Sequence, residues 1–384
     1  MDLTVDARPA APAQRCALCG THSPLIASWL GVCGPCVRRH PERAEPLVRA
    51  AHRRIRRMFG QPESPPRTPG GVRCTLCAHQ CVIGPSEVGY CGLRVARDGR
   101  LVHLAGTPSR GLLHWYRDPL PTNCVAMEVC ARRGRRRGHN LAVFYGSCTL
   151  NCGYCQNWHY RDFLPTSAEI AAERVAPSPA ASPLARRGIS AADLAAVATA
   201  DTFCVCYFGG DPASQMPHAL ASAALLASRG VVVCWETAGT AHPHLLDRAV
   251  ELSLHTGGTV KFDLKAYSEG LHLALTGSSN RQTLATFARA AARFAERPDP
   301  PLVVASTLLV PGYVDADEVH QIARFIAGFN RDIPLVLLGF APNFFMPDLP
   351  PTSVRHADDA VAAARAAGLT TVRVGNRHLL SRDY

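Results

Sequence analysis

The chain has 384 residues, of which 47% are hydrophobic and 18% charged, enough for one large core with smaller appended modules. No apolar run reaches the ~18 residues of a membrane span, and the N-terminus lacks the basic and apolar stretches of a secretory signal, so we expect neither a membrane protein nor a secreted one. The formal charge of +11 would suit nucleic acid, but nearly all of the positive charge is arginine, which we attribute mainly to compositional bias.

The sixteen cysteines indicate metal ligands rather than disulfides, because a reducing cytoplasm keeps thiols free. Thirteen of them precede residue 160. We therefore predict a cytoplasmic protein with several metal-binding modules. The three later cysteines lie in apolar runs and are predicted to be small core residues: Cys204, Cys206 and Cys234.

Residues 1–60 contain two CxxC pairs followed by a basic stretch that is predicted to be helical. We name these four cysteines the first cysteine group: Cys16, Cys19, Cys33 and Cys36. Their spacing is typical of a zinc ribbon. Such a ribbon can be purely structural, or it can bind a partner or nucleic acid with the neighbouring arginines.

Residues 61–139 contain a Pro-rich linker, a short turn-rich module and a connector. The module carries the second cysteine group: Cys74, Cys77, Cys81 and Cys91. Four cysteines in a module too small for its own core predict a bound metal, either zinc or an auxiliary iron–sulfur cluster; reduced, unligated thiols are the alternative. In the connector, Cys124 and Cys130 are open to three interpretations: further cluster ligands, a hydrogen donor to a substrate radical, or buried inert thiols. The connector ends in the run ARRGRRRG, which is predicted to be an exposed loop.

Residues 140–384 alternate continuously apolar runs with alanine-rich helical runs, a pattern typical of parallel β/α units. The predicted fold class is therefore α/β, with ligands at the carboxyl ends of the strands. A stretch rich in Pro, Ala and Ser at 165–189 is predicted to be a flexible insertion. The predicted strands are 141–146, 202–210, 231–237, 260–265, 302–310, 334–340 and 371–375.

The motif YGSCTLNCGYCQNW follows the first of these strands. Its C-x3-C-x2-C spacing defines the third cysteine group: Cys148, Cys152 and Cys155. Three thiolates on one loop can hold three irons of a [4Fe–4S] cluster and leave the fourth open for a ligand. A zinc loop completed by His159 is the alternative.

Polar residues follow the next strands in the segments GGDP, ETAG and DLK. The two lysines of the chain, Lys261 and Lys265, both fall in the strand-like VKFDLK. Because arginine has replaced lysine everywhere else, these two positions indicate a need for a compact ammonium group.

The cysteine loop resembles the radical S-adenosylmethionine (SAM) superfamily, and Tyr154 with the following Gln-Asn-Trp resembles the activating enzymes of glycyl-radical enzymes such as pyruvate formate-lyase. The resemblance implies a partial (β/α)6 barrel over 140–384, preceded by two small cysteine-rich metal-binding modules. It also implies a [4Fe–4S] cluster on the third cysteine group. The residues it assigns to SAM binding are Tyr154, Gly209, Gly210, Asp211, Glu236, Thr237, Asp263 and Lys265.

The resemblance further implies reductive cleavage of SAM to a 5′-deoxyadenosyl radical that abstracts hydrogen from a substrate. The expected partners are a one-electron donor such as flavodoxin or ferredoxin and a protein or small-molecule substrate, with a glycyl-radical enzyme as one candidate target. Two other classes remain open: a zinc-dependent nucleic-acid-binding protein, and an electron-transfer or scaffold protein that holds clusters without turning over SAM.

Overall fold

The structure is a computed structural model that describes residues 12–122, 124–164, 188–382 and 384. Most of the insertion predicted at 165–189 lies outside the described residues, as do the first eleven residues of the chain. Among the described helices, none has the length and apolar character that crossing a membrane requires.

The N-terminal part begins with a two-stranded antiparallel sheet, β1 (Gln14–Arg15) and β2 (His22–Ser23), followed by helices α1 (Gly34–Arg39) and α2 (Pro41–Met58). Each helix has a proline in its first turn, where the missing N–H costs no intrahelical hydrogen bond. Buried residues recur every three or four positions along α2, so one face of this basic helix packs against the rest of the protein.

The second module contains two short antiparallel sheets. β3 (Val72–Arg73) pairs with β4 (Val82–Ile83), and β5 (Arg94–Arg97) pairs with β6 (Arg100–His103). The two residues between β5 and β6 are Asp98 and Gly99, and both have positive φ, as a tight two-residue hairpin turn favours.

An eight-stranded sheet forms the centre of the remaining chain. Its strands are β7 (Leu113–Pro119), β8 (His139–Tyr145), β9 (Thr202–Phe208), β10 (Val232–Thr237), β11 (Val260–Asp263), β12 (Val303–Leu309), β13 (Leu335–Gly339) and β14 (Val372–Val374). The helices of this part are α3 (Ala191–Ala196), α4 (Met216–Ala227), α5 (Pro243–Thr256), α6 (Glu269–Thr276), α7 (Arg281–Ala291), α8 (Ala316–Ala327) and α9 (Val354–Ala366).

The strands lie side by side in chain order, with β8 to β14 parallel and β7 antiparallel to β8. This confirms the predicted α/β class, and the seven predicted strands form as β8 to β14. The strand β7 is an addition, because its residues fall in the predicted connector. Within the described residues β7 and β14 are not paired with each other, so the sheet is open, as in a partial barrel.

One continuous apolar core includes residues from the N-terminal part and from the sheet and its helices. Ile26 and Ile55 belong to the same buried cluster as Leu271 and Tyr313. The Tyr313 hydroxyl donates to the Val32 carbonyl at 2.9 Å, which fastens the N-terminal part to the loop after β12. The division of the chain at residues 60 and 139 stays a prediction.

Candidate active site

The third cysteine group lies in the loop that follows β8, at the carboxyl ends of the parallel strands. All three cysteines are half-buried and line one cavity of about 260 Å³. The ends of β9, β10, β11 and β12 supply other parts of its lining. Ligands of parallel α/β proteins gather at this end of the sheet, so this cavity is the candidate active site.

The cysteine loop is held by the last turn of α6 and by the N-terminal part. The Asn151 N–H donates to the Thr276 carbonyl at 2.8 Å, and the Gly153 N–H donates to the Leu275 carbonyl at 3.1 Å. These carbonyls have no partner within the helix, so the loop satisfies them. A Cβ at Gly153 would lie 2.3 Å from the Trp29 ring, so this contact requires glycine.

The second module holds the same loop from another side. The Ser147 hydroxyl donates to the Cys91 carbonyl at 2.7 Å, and His79 Nε2 donates to the Thr149 carbonyl at 2.5 Å. Cys91 also packs in the apolar cluster that contacts Cys148 and Cys155. The second cysteine group is therefore next to the third.

The environment of the third cysteine group fits a metal cluster. Burial raises the pKa of Cys148 well above its usual value, and burial raises that of Cys152 to about 11 although the Lys265 ammonium opposes it. These thiols therefore become thiolate ligands when a bound cation compensates their charge. In the described part of the chain, only the first cysteine group has its sulfurs all within 4.8 Å of one another. The sulfurs of the third cysteine group are therefore spaced more widely, which suits a cluster of several irons better than a single ion.

Four charged side chains form one wall of the cavity. Lys261 Nζ lies 2.6 Å from a Glu236 carboxylate oxygen and 3.3 Å from one of Asp263, and Lys265 Nζ lies 3.2 Å from Asp263. The Ser306 hydroxyl also donates to Asp263. Burial alone would raise the pKa of Asp263, but the two ammonium groups outweigh it and hold that pKa below its usual range. The wall thus presents an ionised carboxylate between two ammonium groups.

The glycine pair after β9 brings the backbone close to the cysteine loop. Both residues have positive φ, +64° at Gly209 and +52° at Gly210. A Cβ at Gly209 would lie 2.0 Å from the Phe144 ring, and one at Gly210 would lie 2.2 Å from the Tyr145 carbonyl and 2.3 Å from that of Ser147. Glycine is required at both positions for conformation and for space.

The Asp211 carboxylate connects the loop after β9 to the end of β10. It accepts hydrogen bonds from the Ala213 N–H at 2.7 Å, the Thr237 hydroxyl at 3.0 Å and the Ala238 N–H at 2.8 Å. Burial raises the pKa of Asp211 to about 6 in spite of these three donors. Because its oxygens already have partners within the protein, Asp211 holds the loop after β9 against the end of β10, and its own contact with SAM stays a prediction.

The structure brings together the residues that the sequence analysis assigned to SAM binding. All eight line the cavity that contains the third cysteine group, and their contact with SAM stays a prediction. Several further lining residues are absent from the predicted site, among them Lys261, Ser306 and Val125. For Lys261 a signal existed, since it is one of two lysines in the chain, but neither Ser306 nor Val125 stands out in its segment.

The first cysteine group lies away from this cavity and could hold a metal ion. Its four sulfurs lie within 4.8 Å of one another, and Cys19 Sγ is 3.8 Å from Cys33 Sγ. Zinc bound tetrahedrally at about 2.3 Å separates its sulfur ligands by roughly 3.8 Å. A hydrogen bond with Thr21 lowers the pKa of Cys19 to about 6, which favours the thiolate form. The identity of the metal stays a prediction.

The second cysteine group is more buried and more widely spaced. Cys74, Cys77 and Cys81 are buried, Cys91 is half-buried, and burial raises the pKa of Cys81 to about 11. Metal binding by this group stays a prediction.

Comparison with known proteins agrees with the geometry of the site. The family model described as the Radical SAM superfamily matches residues 142–326. The chain is similar to an uncharacterized protein of Methanocaldococcus jannaschii, with 23% identity over 79% of this chain and 81% of that protein. It is also similar to a protein of the same organism named as a candidate glycyl-radical enzyme activating enzyme, with 30% identity over 34% of this chain and 48% of that protein.

Two solved structures are also similar to parts of this chain. A domain of pyruvate-formate lyase-activating enzyme from Bacteroides vulgatus has 17% identity and a TM-score of 0.35, covering 45% of this chain and 99% of that domain. SuiB of Streptococcus suis, solved with bound S-adenosylmethionine, has 13% identity and a TM-score of 0.39, covering 64% of this chain and 52% of that one.

Proposed function

This chain carries a radical SAM domain over residues 142–326, and we propose that it is an enzyme that cleaves SAM reductively at the cavity described above. The observation that carries the proposal is that the third cysteine group shares one cavity with the eight residues assigned to SAM. When bound, a [4Fe–4S] cluster supplies the electron that splits SAM into methionine and a 5′-deoxyadenosyl radical.

The chain's own residues bind and orient SAM in this proposal. Lys265 offers an ammonium group for the methionyl carboxylate, and Glu236 and Asp263 accept hydrogen bonds from ribose hydroxyls or the methionyl ammonium. The glycine pair after β9 leaves backbone groups accessible near the cluster loop. Apolar lining residues, among them Leu308 and Leu338, exclude water from the reacting centre.

We further propose that the substrate is a protein or peptide, with a glycyl-radical enzyme as the first candidate. The support is the similarity to the named activating enzyme, although the aligned part spans about half of that relative. A flavodoxin or ferredoxin is the proposed electron donor. A cytoplasmic location is part of the proposal, supported by sixteen cysteines that form no disulfide in the described chain.

The test is anaerobic purification of the full chain, followed by incubation with SAM and dithionite. We expect a brown protein that forms 5′-deoxyadenosine, and we expect Cys148→Ala to lose both iron and product. His159→Ala is the matched control, because His159 is the fourth ligand in the zinc-loop alternative. We expect this variant to keep its iron and its activity. A colourless protein that binds only zinc, or undiminished product from Cys148→Ala, would overturn the proposal.

A further inference from the structure

An aromatic cluster lies at the protein surface, outside the candidate active-site cavity. Three half-buried rings from three separate segments form it, and we name them the aromatic patch: Phe59, Trp158 and Phe344. Their ring centroids lie 5.5 to 6.1 Å apart, and the planes of Trp158 and Phe344 stack at an angle of 13°. None of the three rings lines the cavity, although Trp158 follows Cys155 by only three residues.

A buried arginine connects the aromatic patch to the third cysteine group. Arg161 is 3% exposed, and its guanidinium carbon lies 5.6 Å from the Phe59 ring centroid and 5.0 Å from that of Phe344. The same carbon lies 4.6 Å from the centroid of Tyr160, a residue of the apolar cluster that contacts Cys155. The aromatic patch is therefore separated from the cluster ligands by little more than one layer of side chains.

The backbone holds Phe344 in its position at an energetic cost. Its φ is +54°, in the left-handed region that residues other than glycine seldom adopt. The next residue, Phe345, donates its N–H to the Gly153 carbonyl at 2.9 Å, which fastens this segment to the cysteine loop. Strain of this kind persists at sites where a particular side-chain position is needed. Because Phe344 is only half-buried, core packing alone does not account for it.

The last two turns of α2 place a basic face next to the aromatic patch. Arg53, Arg54 and Arg57 are exposed, and Met58, which is 66% exposed, directly precedes Phe59. Side chains three and four residues apart are neighbours on a helix surface. We therefore name the three arginines together with Met58 the basic face.

The positive charge of the basic face is only partly neutralised by the protein itself. Arg57 pairs with Glu63, but neither Arg53 nor Arg54 lies within 4.0 Å of a carboxylate oxygen among the described residues. Arg54 instead donates to the Trp29 carbonyl at 2.9 Å. Over its whole length α2 has six arginines and two glutamates. A negatively charged partner would be steered toward this face.

We propose that the aromatic patch and the basic face together form the docking surface for a small acidic electron-transfer protein that reduces the cluster. This inference rests on the proposed function, since it concerns the electron that SAM cleavage consumes. One electron passes from the reduced donor to the oxidised cluster, and no bond forms or breaks.

The location and composition of the surface suit such a donor. The donor has to bring its redox centre near the cluster but needs no contact with SAM, so a surface beside the cysteine loop and outside the cavity is appropriate. Aromatic, methionine and arginine side chains are the types enriched at protein interfaces. Weak electron-transfer encounters also need less buried area than stable complexes do.

A nucleic acid is the other partner that a basic surface with aromatic rings could attract. Bases stack on free ring faces, but Trp158 and Phe344 stack on each other and Phe344 also lies over Arg161. The exposed Met58 adds apolar contact, which suits a protein better than a phosphate backbone. These observations favour a protein partner.

The test measures binding and reduction separately on the full chain purified anaerobically. Arg53→Glu/Arg57→Glu reverses charge on the basic face, and Arg324→Glu/Arg365→Glu is the matched control, because it makes the same change at exposed positions of α8 and α9. The probe is a flavodoxin of net negative charge, labelled with a fluorophore for binding and reduced by NADPH and its reductase for turnover. For the basic-face variant we expect a dissociation constant about tenfold or more higher and a kcat/KM for flavodoxin lower by a similar factor. The control should match the wild type in both measurements.

Dithionite distinguishes a failure of this inference from a failure of the proposed function. Because a small reductant needs no docking surface, we expect all three proteins to form 5′-deoxyadenosine equally with saturating dithionite. No product from the wild type with dithionite would contradict the proposed function, and flavodoxin binding would still decide the docking surface. Equal flavodoxin binding by the wild type and the basic-face variant would overturn the inference. So would a wild type that binds single-stranded RNA through the basic face and does not bind flavodoxin.

Met58→Ser tests the apolar part of the surface with little risk to folding, because this side chain is largely exposed. We expect it to weaken flavodoxin binding by about threefold or more while circular dichroism stays unchanged. Added salt should weaken wild-type binding and reduce the difference from the basic-face variant, since salt screens exposed charges. Unchanged binding by Met58→Ser together with salt-independent binding by the wild type would also overturn the inference.

Discussion

At the scale of single residues, the two lysines show why composition can locate a site. Lys261 is 4% exposed and lies between the carboxylates of Glu236 and Asp263. A compact ammonium group fits between two carboxylates on neighbouring strands, whereas a planar guanidinium would need more width. Removing it leaves two negative charges facing each other in a largely buried wall.

We expect Lys261→Met to lower the free energy of unfolding by about 3 kcal/mol, since it leaves the largely buried Glu236 carboxylate without its ammonium partner and leaves Asp263 with Lys265 alone. Arg289→Met is the matched control, because it breaks an ion pair with Asp247 in which both side chains are well exposed. Its cost should be no more than about 1 kcal/mol. Denaturant unfolding at equal metal loading measures both, and equal losses in the two variants would contradict this account of Lys261.

Only part of the candidate site could be predicted from single residues of the sequence. The residue types at the ends of β9 to β11 indicated the polar wall, because parallel strands end at a common edge. The hydrogen bonds that occupy Asp211 depend on how the loop after β9 meets β10, and no local pattern encodes that contact. Arg132 lies in a run predicted to be exposed, yet it is buried in a small cavity beside Cys130 and Cys204, while most of its neighbours in the run are exposed as expected.

At the scale of elements, prediction succeeded where strands are buried on both faces. The strands β8 to β13 carry long apolar runs because both of their faces are covered, on β12 and β13 partly by Ala126 and Cys130. β7 is an edge strand of sequence LHWYRDP, with several exposed positions, and its pattern does not differ from that of a loop. The sequence also did not reveal that five cysteines line one small cavity, since a cysteine in an apolar strand indicates a core residue until its neighbours across the sheet are known. These cysteines are Cys124, Cys130, Cys204, Cys206 and Cys234.

The glycine pair after β9 makes a prediction at the same scale. A Cβ at Gly210 would meet two carbonyl oxygens of the β8 end and cysteine loop. We therefore expect Gly210→Ala to displace the loop and to raise the dissociation constant for SAM by about tenfold or more, equivalent to ~1.4 kcal/mol. Equilibrium dialysis on the anaerobic protein measures this change.

Gly230→Ala is the control for Gly210→Ala. Gly230 also has positive φ, +77°, but a Cβ at this position would have no atom within 4 Å beyond its own chain neighbours. This variant should cost only the backbone strain of about 1 kcal/mol and leave SAM binding unchanged. Similar SAM binding by both variants would show that the close approach at Gly210 is unimportant for the site.

At the scale of the whole molecule, the N-terminal part and second module form part of the frame of the active site. His52 on α2 donates from Nε2 to the Ala274 carbonyl and accepts at Nδ1 from the Asn151 amide of the cysteine loop. On the same helix, the Arg56 guanidinium lies over the Tyr90 ring and donates to the Tyr90 carbonyl at 2.6 Å. The helix α2 thus connects both N-terminal modules to the loop that carries the third cysteine group.

Buried neutral histidines give the whole fold a predictable response to acid. Burial lowers the pKa of His52, His218 and His272 to about 4. In the unfolded chain a histidine protonates near pH 6.5, so between about pH 6.5 and pH 4 the unfolded state binds more protons than the native state. The contribution of these neutral histidines to the free energy of unfolding is therefore complete above about pH 6.5. It falls as the pH drops toward 4, by up to roughly 3 kcal/mol per histidine.

His218 is the best position to test this response, because it lies away from the three cysteine groups. Its Nδ1 accepts a hydrogen bond from the Tyr145 hydroxyl at 2.9 Å, and its Nε2 donates one to the Ile189 carbonyl. We expect His218→Gln to melt at a lower temperature than the wild type at pH 7.5, and we expect that difference to shrink at pH 5 because glutamine takes up no proton. His378→Gln, at an exposed position, should follow the wild-type curve throughout. If the melting curves of His218→Gln and wild type stay parallel from pH 7.5 to pH 5, His218 does not contribute to the acid response.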